Sequence, residues 1–262
     1  MEKKYSIALV DELINVFKKA GQLSIELRNK GLIKKTKSDD TPVTNGDIEV
    51  NNILVNEIKR LTPKYPIVSE ETLENKFEKN LKNFWLIDPI DGTYDYINNK
   101  DEFTLNAALI VDKSPFLGIV YAPSKKRLFY TYGDKKSFEI NEKGLVELKC
   151  QKITKKDEVV ALTYSNNIKS EILEIHKKNE VTNFVKMKSS LKFCVIAAGE
   201  FDLYVAEPRA CEWDIAAGHA ILKNAGGIIT DFEGNEILYG KKDFINPSIV
   251  LKRSHNLKWV NN

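Results

Sequence analysis

The stretch Trp85-Leu-Ile-Asp-Pro-Ile-Asp-Gly-Thr-Tyr-Asp-Tyr96 joins an apolar run to two carboxylates, a proline, a glycine and a threonine. The run from Phe84 to Ile87 has the composition of a buried strand, and we expect the proline and the glycine that follow to stop it. Asp88 and Asp91 would then lie at the carboxyl end of this strand. Acidic side chains in that place either cap a turn or bind a cation, and the stretch alone leaves both possibilities open.

The composition is that of a globular protein with one large domain or two lobes. The chain has 262 residues, of which 42% are apolar, an ordinary share for a protein with a sizeable core. No apolar run approaches the roughly 18 residues that span a bilayer, and the first residues do not form a signal segment. We therefore expect a cytoplasmic protein, with peripheral attachment to the inner face of the membrane left open.

The charge balance argues against nucleic-acid binding, and the cysteine content argues against a disulfide framework and a zinc site. Lys plus Arg number 40 and Asp plus Glu number 37, a balance too even for general binding of nucleic acid. Cys150, Cys194 and Cys211 are odd in number and lack a Cys-x-x-Cys pair, so neither a disulfide framework nor a zinc site is indicated. We expect them to be small buried residues without a disulfide partner.

Helical and strand periodicities divide the chain into two lobes. A polar, lysine-rich segment at 148–157 marks the boundary, so we expect an N-terminal α+β lobe at 1–150 and a C-terminal α/β lobe at 151–262. In the first lobe we expect two helices, around 7–20 and 48–58, a charged loop at 72–83, and strands at 65–69, 84–87, 103–111, 116–121, 127–132 and 136–140. In the second lobe we expect helices at 168–178, 191–198 and 214–224, and strands at 159–163, 183–187, 203–206 and 227–231.

Carboxylates at the ends of these elements predict a cation site. Glu70 follows one strand, while Asp88 and Asp91 follow the next. Asp214 begins a helix, and the main-chain carbonyl of Ile90 lies inside the acidic turn. Hard oxygen donors in this number suit Mg²⁺, which shares its remaining positions with water and phosphate oxygens. Two such ions, about 4 Å apart, would neutralise the carboxylates and serve phosphoester hydrolysis.

Gly92 and Thr93 provide what a phosphate group requires. Glycine lets the backbone approach a phosphate closely, the two amides can donate to its oxygens, and the threonine hydroxyl can orient a water molecule. Asp47 falls in the first turn of a helix, where a carboxylate interacts favourably with the helix dipole. By itself, this structural role explains the residue better than a chemical role does. A lone Asp-Pro-x-Asp-Gly is also a common turn. Neither a P-loop nor a dinucleotide-binding glycine pattern is present, so hydrolysis of a small phosphate ester fits better.

Four motifs in register resemble those of the lithium-sensitive, magnesium-dependent phosphatase superfamily that includes inositol monophosphatase. They lie at 37–47, 68–71, 85–93 and 212–227, and their order matches along essentially the whole chain. The resemblance implies a mixed α/β fold, a layered αβαβα sandwich of the inositol monophosphatase and fructose-1,6-bisphosphatase type. It also implies an enzyme that uses two or three Mg²⁺ ions.

Three further segments resemble the bacterial CysQ branch of that superfamily, at 101–106, 189–194 and 242–247. This branch consists of 3'(2'),5'-bisphosphate nucleotidases, which remove the 3'-phosphate of adenosine 3',5'-bisphosphate to leave AMP. The implied partner is a small phosphorylated nucleotide, with 3'-phosphoadenosine 5'-phosphosulfate as a further substrate. Two alternatives remain, namely specificity for inositol or fructose phosphates and a catalytically silent sensor that binds nucleotide or cation. Monomer and homodimer are equally open.

The resemblance also implies roles for individual residues. The metal-ligand positions fall on Glu70, Asp88, the carbonyl of Ile90, Asp91 and Asp214. Asp47 and Thr93 match the pair that activates the attacking water, and the amides of Gly92 and Thr93 match the phosphate cradle. Ser190 and Lys192 match positions that face the substrate. Arg209 lies just before the motif at 212–227 and is expected at the 5'-phosphate, with a plain surface position as the alternative.

Some residues depart from the branch or take no part in the expected chemistry. Asn166 stands where many relatives have a histidine near the nucleotide, and Tyr94-Asp95-Tyr96 replaces the usual Lys-Glu-Phe. His219 lies among small apolar residues of a helix, so we expect it to be packed or hydrogen-bonded rather than catalytic.

Overall fold

The computed structural model describes residues 3–37, 40–72, 81–150, 158–255 and 257. The helices in this part of the chain are α1 Lys3–Lys30, α2 Asn45–Leu61, α3 Thr93–Ile97, α4 Ser170–Lys178, α5 Leu191–Ala197 and α6 Glu212–Asn224. None of the described helices is long and apolar enough to cross a membrane.

The strands of the N-terminal half form a short pair and one large sheet. The pair is antiparallel, β1 Lys34–Thr36 with β2 Pro42–Thr44. The large sheet has seven strands in chain order, with the first two parallel and the others antiparallel. These strands are β3 Ile67–Ser69, β4 Phe84–Asp91, β5 Thr104–Val111, β6 Ser114–Ala122, β7 Arg127–Thr131, β8 Ser137–Asn141 and β9 Gly144–Leu148.

The C-terminal half contributes a second, five-stranded sheet. Its strands are β10 Val159–Thr163, β11 Val181–Lys186, β12 Leu203–Ala206, β13 Ile228–Thr230 and β14 Ile249–Lys252. Their order across the sheet is β11-β10-β12-β14-β13. The strand β10 is parallel to both of its neighbours, whereas β14 is antiparallel to β12 and β13.

The layers follow the expected αβαβα order because every sheet face that the helices cover is apolar. Alternate residues of β4 show this, since Trp85 and Ile87 pack with α1 and α2 whereas Phe84 and Leu86 pack with α5 and α6 between the two sheets. A strand buried on both faces must be apolar at every position, which is why 84–87 is a continuous apolar run. The outer helix α4 covers the remaining face of the five-stranded sheet.

Most predicted elements are confirmed, and one strand end is wrong. The strand β4 does not stop at Ile87 but continues to Asp91, with a register shift in which Asp88 pairs with Asn106 and Asp91 with Thr104. Between these two pairs β4 advances by three residues whereas β5 advances by two, so β4 contains a bulge. The proline lies inside this irregular part of the ladder, where a missing N–H is tolerated.

Four strands were not predicted, and two predicted segments are only partly covered by the described residues. The unpredicted strands are short or exposed, namely β1, β2, β9 and β14. The charged loop at 72–83 and the lobe boundary at 148–157 lie largely outside the described residues, so the division into two lobes stays a prediction. Cys150 and Cys194 are buried as expected, Cys211 is half-buried, and the structure joins none of the three in a disulfide within the described ranges.

Candidate active site

Carboxylates from three separate elements meet at one point of the structure. Glu70 follows β3, Asp88 lies in β4, and Asp214 lies in the first turn of α6, and their ligand oxygens are all within 4.8 Å of one another. The strands β3 and β4 are parallel neighbours, so their carboxyl ends share one edge of the sheet. The helix α6 packs on β4 and brings its first turn to the same edge.

Burial and like charge make these carboxylates costly to ionise. Asp88 is 1% exposed, and its pKa is raised well above the usual value by burial first and then by the charges of Glu70, Asp91 and Asp214. Burial, followed by the charges of Asp91 and Glu70, likewise raises the pKa of Asp214. A cation among these oxygens would remove both penalties.

One oxygen of the cluster has no partner in the protein. Asp88 Oδ1 is buried and accepts no hydrogen bond among the described residues, a situation that normally costs free energy. The donor set consists of oxygens alone, which suits a hard divalent cation such as Mg²⁺ better than zinc or copper. The residues present therefore fit a divalent metal.

Asp91 lies beside the cluster and uses one oxygen to bind the main chain of Ser190. Its Oδ2 accepts a hydrogen bond from the main-chain N–H of Ser190, and it is absent from the group of oxygens within 4.8 Å. Burial raises its pKa to about 6, against the opposing effects of Lys192 and of the Ser190 hydrogen bond. Asp91 thus comes from β4 and is hydrogen-bonded to a residue of the C-terminal half.

Lys37 is a residue of this site that the sequence analysis did not single out. Its Nζ lies 2.8 Å from Glu70 Oε1 and 2.6 Å from Glu71 Oε1. Burial raises the pKa of Glu71 to about 7, although the hydrogen bond from Lys37 opposes this. The signal available in the sequence was its place at the start of the motif at 37–47.

Thr93 connects Asp47 to the acidic turn. Its Oγ1 lies 3.0 Å from Asp47 Oδ1 and also 3.0 Å from the carbonyl oxygen of Ile90. A hydroxyl has one proton, so it donates to one of these acceptors at a time and keeps its lone pairs for a further donor such as water. Burial raises the pKa of Asp47, against the hydrogen bonds from Thr44 and Thr93.

The glycine in this turn is required by the backbone. Gly92 has φ 90° and precedes α3, and a Cβ at this position would lie 3.1 Å from the carbonyl oxygen of Glu102. The left-handed conformation strongly favours glycine. The backbone alone therefore accounts for a glycine here, and close approach to a phosphate stays a prediction.

A cavity of about 110 Å³ joins Asp91 and Asp214 to the predicted substrate residues, whereas Glu70 and Asp88 do not line it. Asp91, Ser190, Lys192, Arg209 and Asp214 all line it. The lining residues that the sequence analysis did not assign to the site include Tyr164, Tyr204 and Asn246.

The predicted substrate residues differ in what their side chains do. The Ser190 hydroxyl donates to Asn106 Oδ1 at 2.6 Å and lies 2.8 Å from Thr104 Oγ1, so it is engaged inside the protein. Lys192 is 6% exposed, and burial lowers its pKa to about 8 despite the nearby Asp91. In the part of the chain that the structure describes, neither Lys192 nor Arg209 has a carboxylate within 4.0 Å.

Two other predictions concern residues outside the cavity. His219 is buried, its Nδ1 lies 2.9 Å from Tyr239 Oη, and burial lowers its pKa to about 3. It is neutral and packed, as expected. Asn166 is exposed, and it lines neither of the two cavities that Arg209 borders.

Comparisons with known proteins give matches over nearly the whole chain. A family model described as the inositol monophosphatase family matches residues 5–261. The 3'(2'),5'-bisphosphate nucleotidase CysQ of Salmonella typhimurium is 31% identical over 244 residues, covering 91% of this chain and 97% of the relative. The CysQ of Buchnera aphidicola is 33% identical and covers 91% of each chain.

Solved structures show the same fold. An inositol monophosphatase of Thermotoga maritima superposes with a TM-score of 0.75 at 27% identity, covering 93% of this chain and 91% of that one. The structure of CysQ from Bacteroides thetaiotaomicron gives a TM-score of 0.75 at 24% identity, covering 95% and 97%. Both similarities extend over nearly the whole chain.

Proposed function

Because the chain belongs to the inositol monophosphatase family, we propose that it is a 3'(2'),5'-bisphosphate nucleotidase that hydrolyses the 3'-phosphate of adenosine 3',5'-bisphosphate to give AMP and phosphate. The observation that carries the proposal is the cavity where Asp91 and Asp214 face Lys192 and Arg209. Similarity to CysQ proteins at 31% and 33% identity supports the same activity. We include 3'-phosphoadenosine 5'-phosphosulfate as a second substrate.

The metal ligands in this proposal are the carboxylates and one main-chain carbonyl around the acidic turn. They are Glu70, Asp88, Asp91, Asp214 and the carbonyl of Ile90, and they would hold two or three Mg²⁺ ions. The ions would supply charge stabilisation at the phosphate and lower the pKa of water. The unpartnered Oδ1 of Asp88 and the raised pKa values of Asp88 and Asp214 support this assignment.

Asp47 and Thr93 move the proton of the attacking water. A water that donates to Thr93 Oγ1 passes its proton into the Thr93–Asp47 hydrogen bond, whose heavy atoms are 3.0 Å apart. The raised pKa of Asp47 makes it a better proton acceptor than an ordinary aspartate. The amides of Gly92 and Thr93 bind the oxygens of the same phosphate.

The substrate is recognised by the residues of the C-terminal half. Lys192 and Arg209 carry positive charge that no carboxylate partner within 4.0 Å neutralises among the described residues, so they are available to the 5'-phosphate. Ser190 contributes through its main chain, since its N–H donates to Asp91 and its hydroxyl is engaged with Asn106. A substrate with a single phosphate would leave the charged side chains of Lys192 and Arg209 without an anionic partner.

Phosphate release from three substrates tests the proposal. Adenosine 3',5'-bisphosphate, inositol 1-phosphate and fructose 1,6-bisphosphate are compared at equal concentration with Mg²⁺, and the nucleotide is expected to be preferred about tenfold or more in kcat/KM. Preference for inositol or fructose phosphate would overturn it.

Asp91→Asn should abolish turnover, and Asp11→Asn, at an exposed position of α1, is the matched control. Nucleotide binding without hydrolysis by the wild type would favour the sensor alternative.

A further inference from the structure

Arg209 is held by an aromatic ring rather than by an acid. Its guanidinium carbon lies 3.4 Å from the centre of the Tyr164 ring, the distance of van der Waals contact with the ring face. No hydrogen bond or ion pair of the Arg209 side chain occurs within the described ranges. The ring is therefore the contact that fixes the position of the guanidinium.

This arrangement keeps the guanidinium free to bind an anion. A carboxylate partner would occupy some of the five N–H donors of arginine and cancel its charge. A ring face attracts the cation through its quadrupole and uses none of the donors. Arg209 thus keeps its planar set of donors, which matches the geometry of a phosphate group.

Two further cations lie around the same ring. Lys188 Nζ is 5.8 Å and Lys192 Nζ is 6.0 Å from the centre of Tyr164. Lys188 is also 3.4 Å from Asp95 Oδ1. Three positive charges close together repel one another unless something offsets them, and the negative face of one shared ring does so in part.

Tyr164 and Arg209 are among the residues that line two cavities. Both residues line the 110 Å³ cavity that contains Asp91 and Asp214, and both line a second cavity of about 300 Å³. The stacked pair is thus part of a wall that the two cavities share. A substrate whose reacting phosphate lies at the acidic residues would meet the guanidinium with the part of the molecule beyond that phosphate.

We propose that Tyr164 is a specificity-determining residue, which positions Arg209 to bind the second phosphate of the substrate. The inference rests on the proposed nucleotidase function, because a second phosphate is what separates adenosine 3',5'-bisphosphate from 3'-AMP. Tyr164 acts through Arg209 and takes no part in the chemical step. Replacing the ring should weaken recognition of the 5'-phosphate specifically.

Kinetics with the two nucleotides test this role. In Tyr164→Leu the ratio of kcat/KM for adenosine 3',5'-bisphosphate to that for 3'-AMP should fall about tenfold, mainly through KM. Tyr164→Phe keeps the ring and should keep the wild-type ratio. In an Arg209→Ala background, Tyr164→Leu should have no further effect on the ratio, because the two residues act as one unit. An equal loss for both substrates in Tyr164→Leu would overturn the proposal.

Binding of AMP separates this inference from the proposed function. AMP carries the 5'-phosphate but needs no hydrolysis, so calorimetry should show about tenfold weaker binding by Tyr164→Leu than by the wild type. Wild-type affinity in the variant would overturn the role of Tyr164. If AMP binding depends on Tyr164 while no bisphosphate is hydrolysed, the nucleotidase proposal fails, whereas the role of Tyr164 in binding a 5'-phosphate stands.

Two controls keep these outcomes interpretable. Tyr164 is 38% exposed, so its replacement should leave the protein folded, and thermal unfolding of Tyr164→Leu and Tyr164→Phe checks this. Lys177→Ala removes one positive charge from an exposed position of α4 and is the charge-matched control for Arg209→Ala. A lowered ratio in Lys177→Ala equal to that in Arg209→Ala would overturn the specific role of the guanidinium that Tyr164 positions.

Discussion

Asp47 and Asp214 occupy the same position in two different helices, and each caps its own helix. Each is the third residue of its helix, Asp47 in α2 and Asp214 in α6, and each completes a capping box. In each case one carboxylate oxygen accepts a hydrogen bond from the main-chain N–H of the residue that caps the helix. Thr44 donates to Asp47 at 2.7 Å, and Cys211 donates to Asp214 at 2.7 Å. The other oxygen of Asp47 accepts a hydrogen bond from Thr93, and one oxygen of Asp214 lies within 4.8 Å of ligand oxygens of Glu70 and Asp88. A helix cap and a chemical role are thus compatible in one carboxylate.

Replacing Asp47 separates these two roles. Asp47→Asn keeps an acceptor for Thr44 and removes a carboxylate whose raised pKa makes its charge costly. We expect it to be at least as stable as the wild type, and more stable than Asp47→Ala by about 1 kcal/mol, the usual value of a cap. Both variants should lose roughly 100-fold or more in kcat, because neither can accept a proton.

Urea denaturation and steady-state phosphate release check this pair of variants. The two substitutions act as each other's control, since they share the loss of the carboxylate and differ in the cap. Wild-type kcat in Asp47→Asn would remove Asp47 from the proton transfer. Equal stability of the two variants would show that the capping bond contributes nothing.

The pKa values of the cluster predict how pH changes the effect of metal on stability. Burial and like charge raise the pKa of Asp88 and Asp214 above the unfolded value, and burial raises that of Asp91 to about 6. Without metal, these groups stabilise the fold fully at a pH below their unfolded pKa, about 4, and this stability is lost as pH rises through the folded pKa values. Mg²⁺ replaces the protons, so it should raise Tm more at about pH 8 than at about pH 5.

Thermal unfolding with and without Mg²⁺, at matched ionic strength, measures this difference. Asp88→Asn removes one ligand and should reduce the Mg²⁺-dependent rise in Tm at the higher pH. The same rise in Tm at both pH values would contradict the assignment of a metal to this cluster.

The acidic residues could be selected from the sequence because local rules place them at the ends of strands and helices, although their part in catalysis stays a prediction. The layered αβαβα order, in contrast, was implied by the resemblance to a known family. Strand β4 shows what local rules give, since its continuous apolar run predicted a buried strand and its acidic end predicted a cation site. The link from Ser190 N–H to Asp91 could not be predicted, because it joins residues 99 positions apart and depends on how the two halves pack. The stack of Arg209 on Tyr164 could not be predicted for the same reason. Lys37 also went unassigned, since a lysine in a turn is usually exposed.

Gly92→Ala tests the conformation of the acidic turn. Alanine at φ 90° costs about 1 kcal/mol or more, and its Cβ would lie 3.1 Å from the carbonyl oxygen of Glu102. Relief of this contact moves the turn that contains Asp91 and Thr93, so kcat should fall about tenfold or more. Gly144→Ala is the matched control, because Gly144 has φ 109° and a Cβ there would meet no described atom within 4 Å. It should lose stability without losing activity, and wild-type kcat in Gly92→Ala would contradict the prediction.

Ser190→Ala decides between two roles for this serine. Its hydroxyl donates to Asn106 Oδ1 at 2.6 Å, and its main-chain N–H donates to Asp91. If the hydroxyl anchors that N–H, its loss should raise the Mg²⁺ concentration for half-maximal activity about tenfold, the usual cost of losing a group that orients a metal ligand. If the hydroxyl contacts substrate, KM for the nucleotide should rise instead.

Asn106→Ala and Ser137→Ala complete this test of Ser190. Asn106→Ala breaks the same hydrogen bond from the other side, so it should shift the Mg²⁺ requirement equally, and the double variant should add little. Ser137→Ala also removes a buried hydrogen bond, the one to the carbonyl of Ile221 at 2.7 Å, and should lower stability without changing the Mg²⁺ requirement. A higher Mg²⁺ requirement in all three variants would mean that it follows stability, whereas a change confined to Ser190 and Asn106 identifies their hydrogen bond as the support of Asp91.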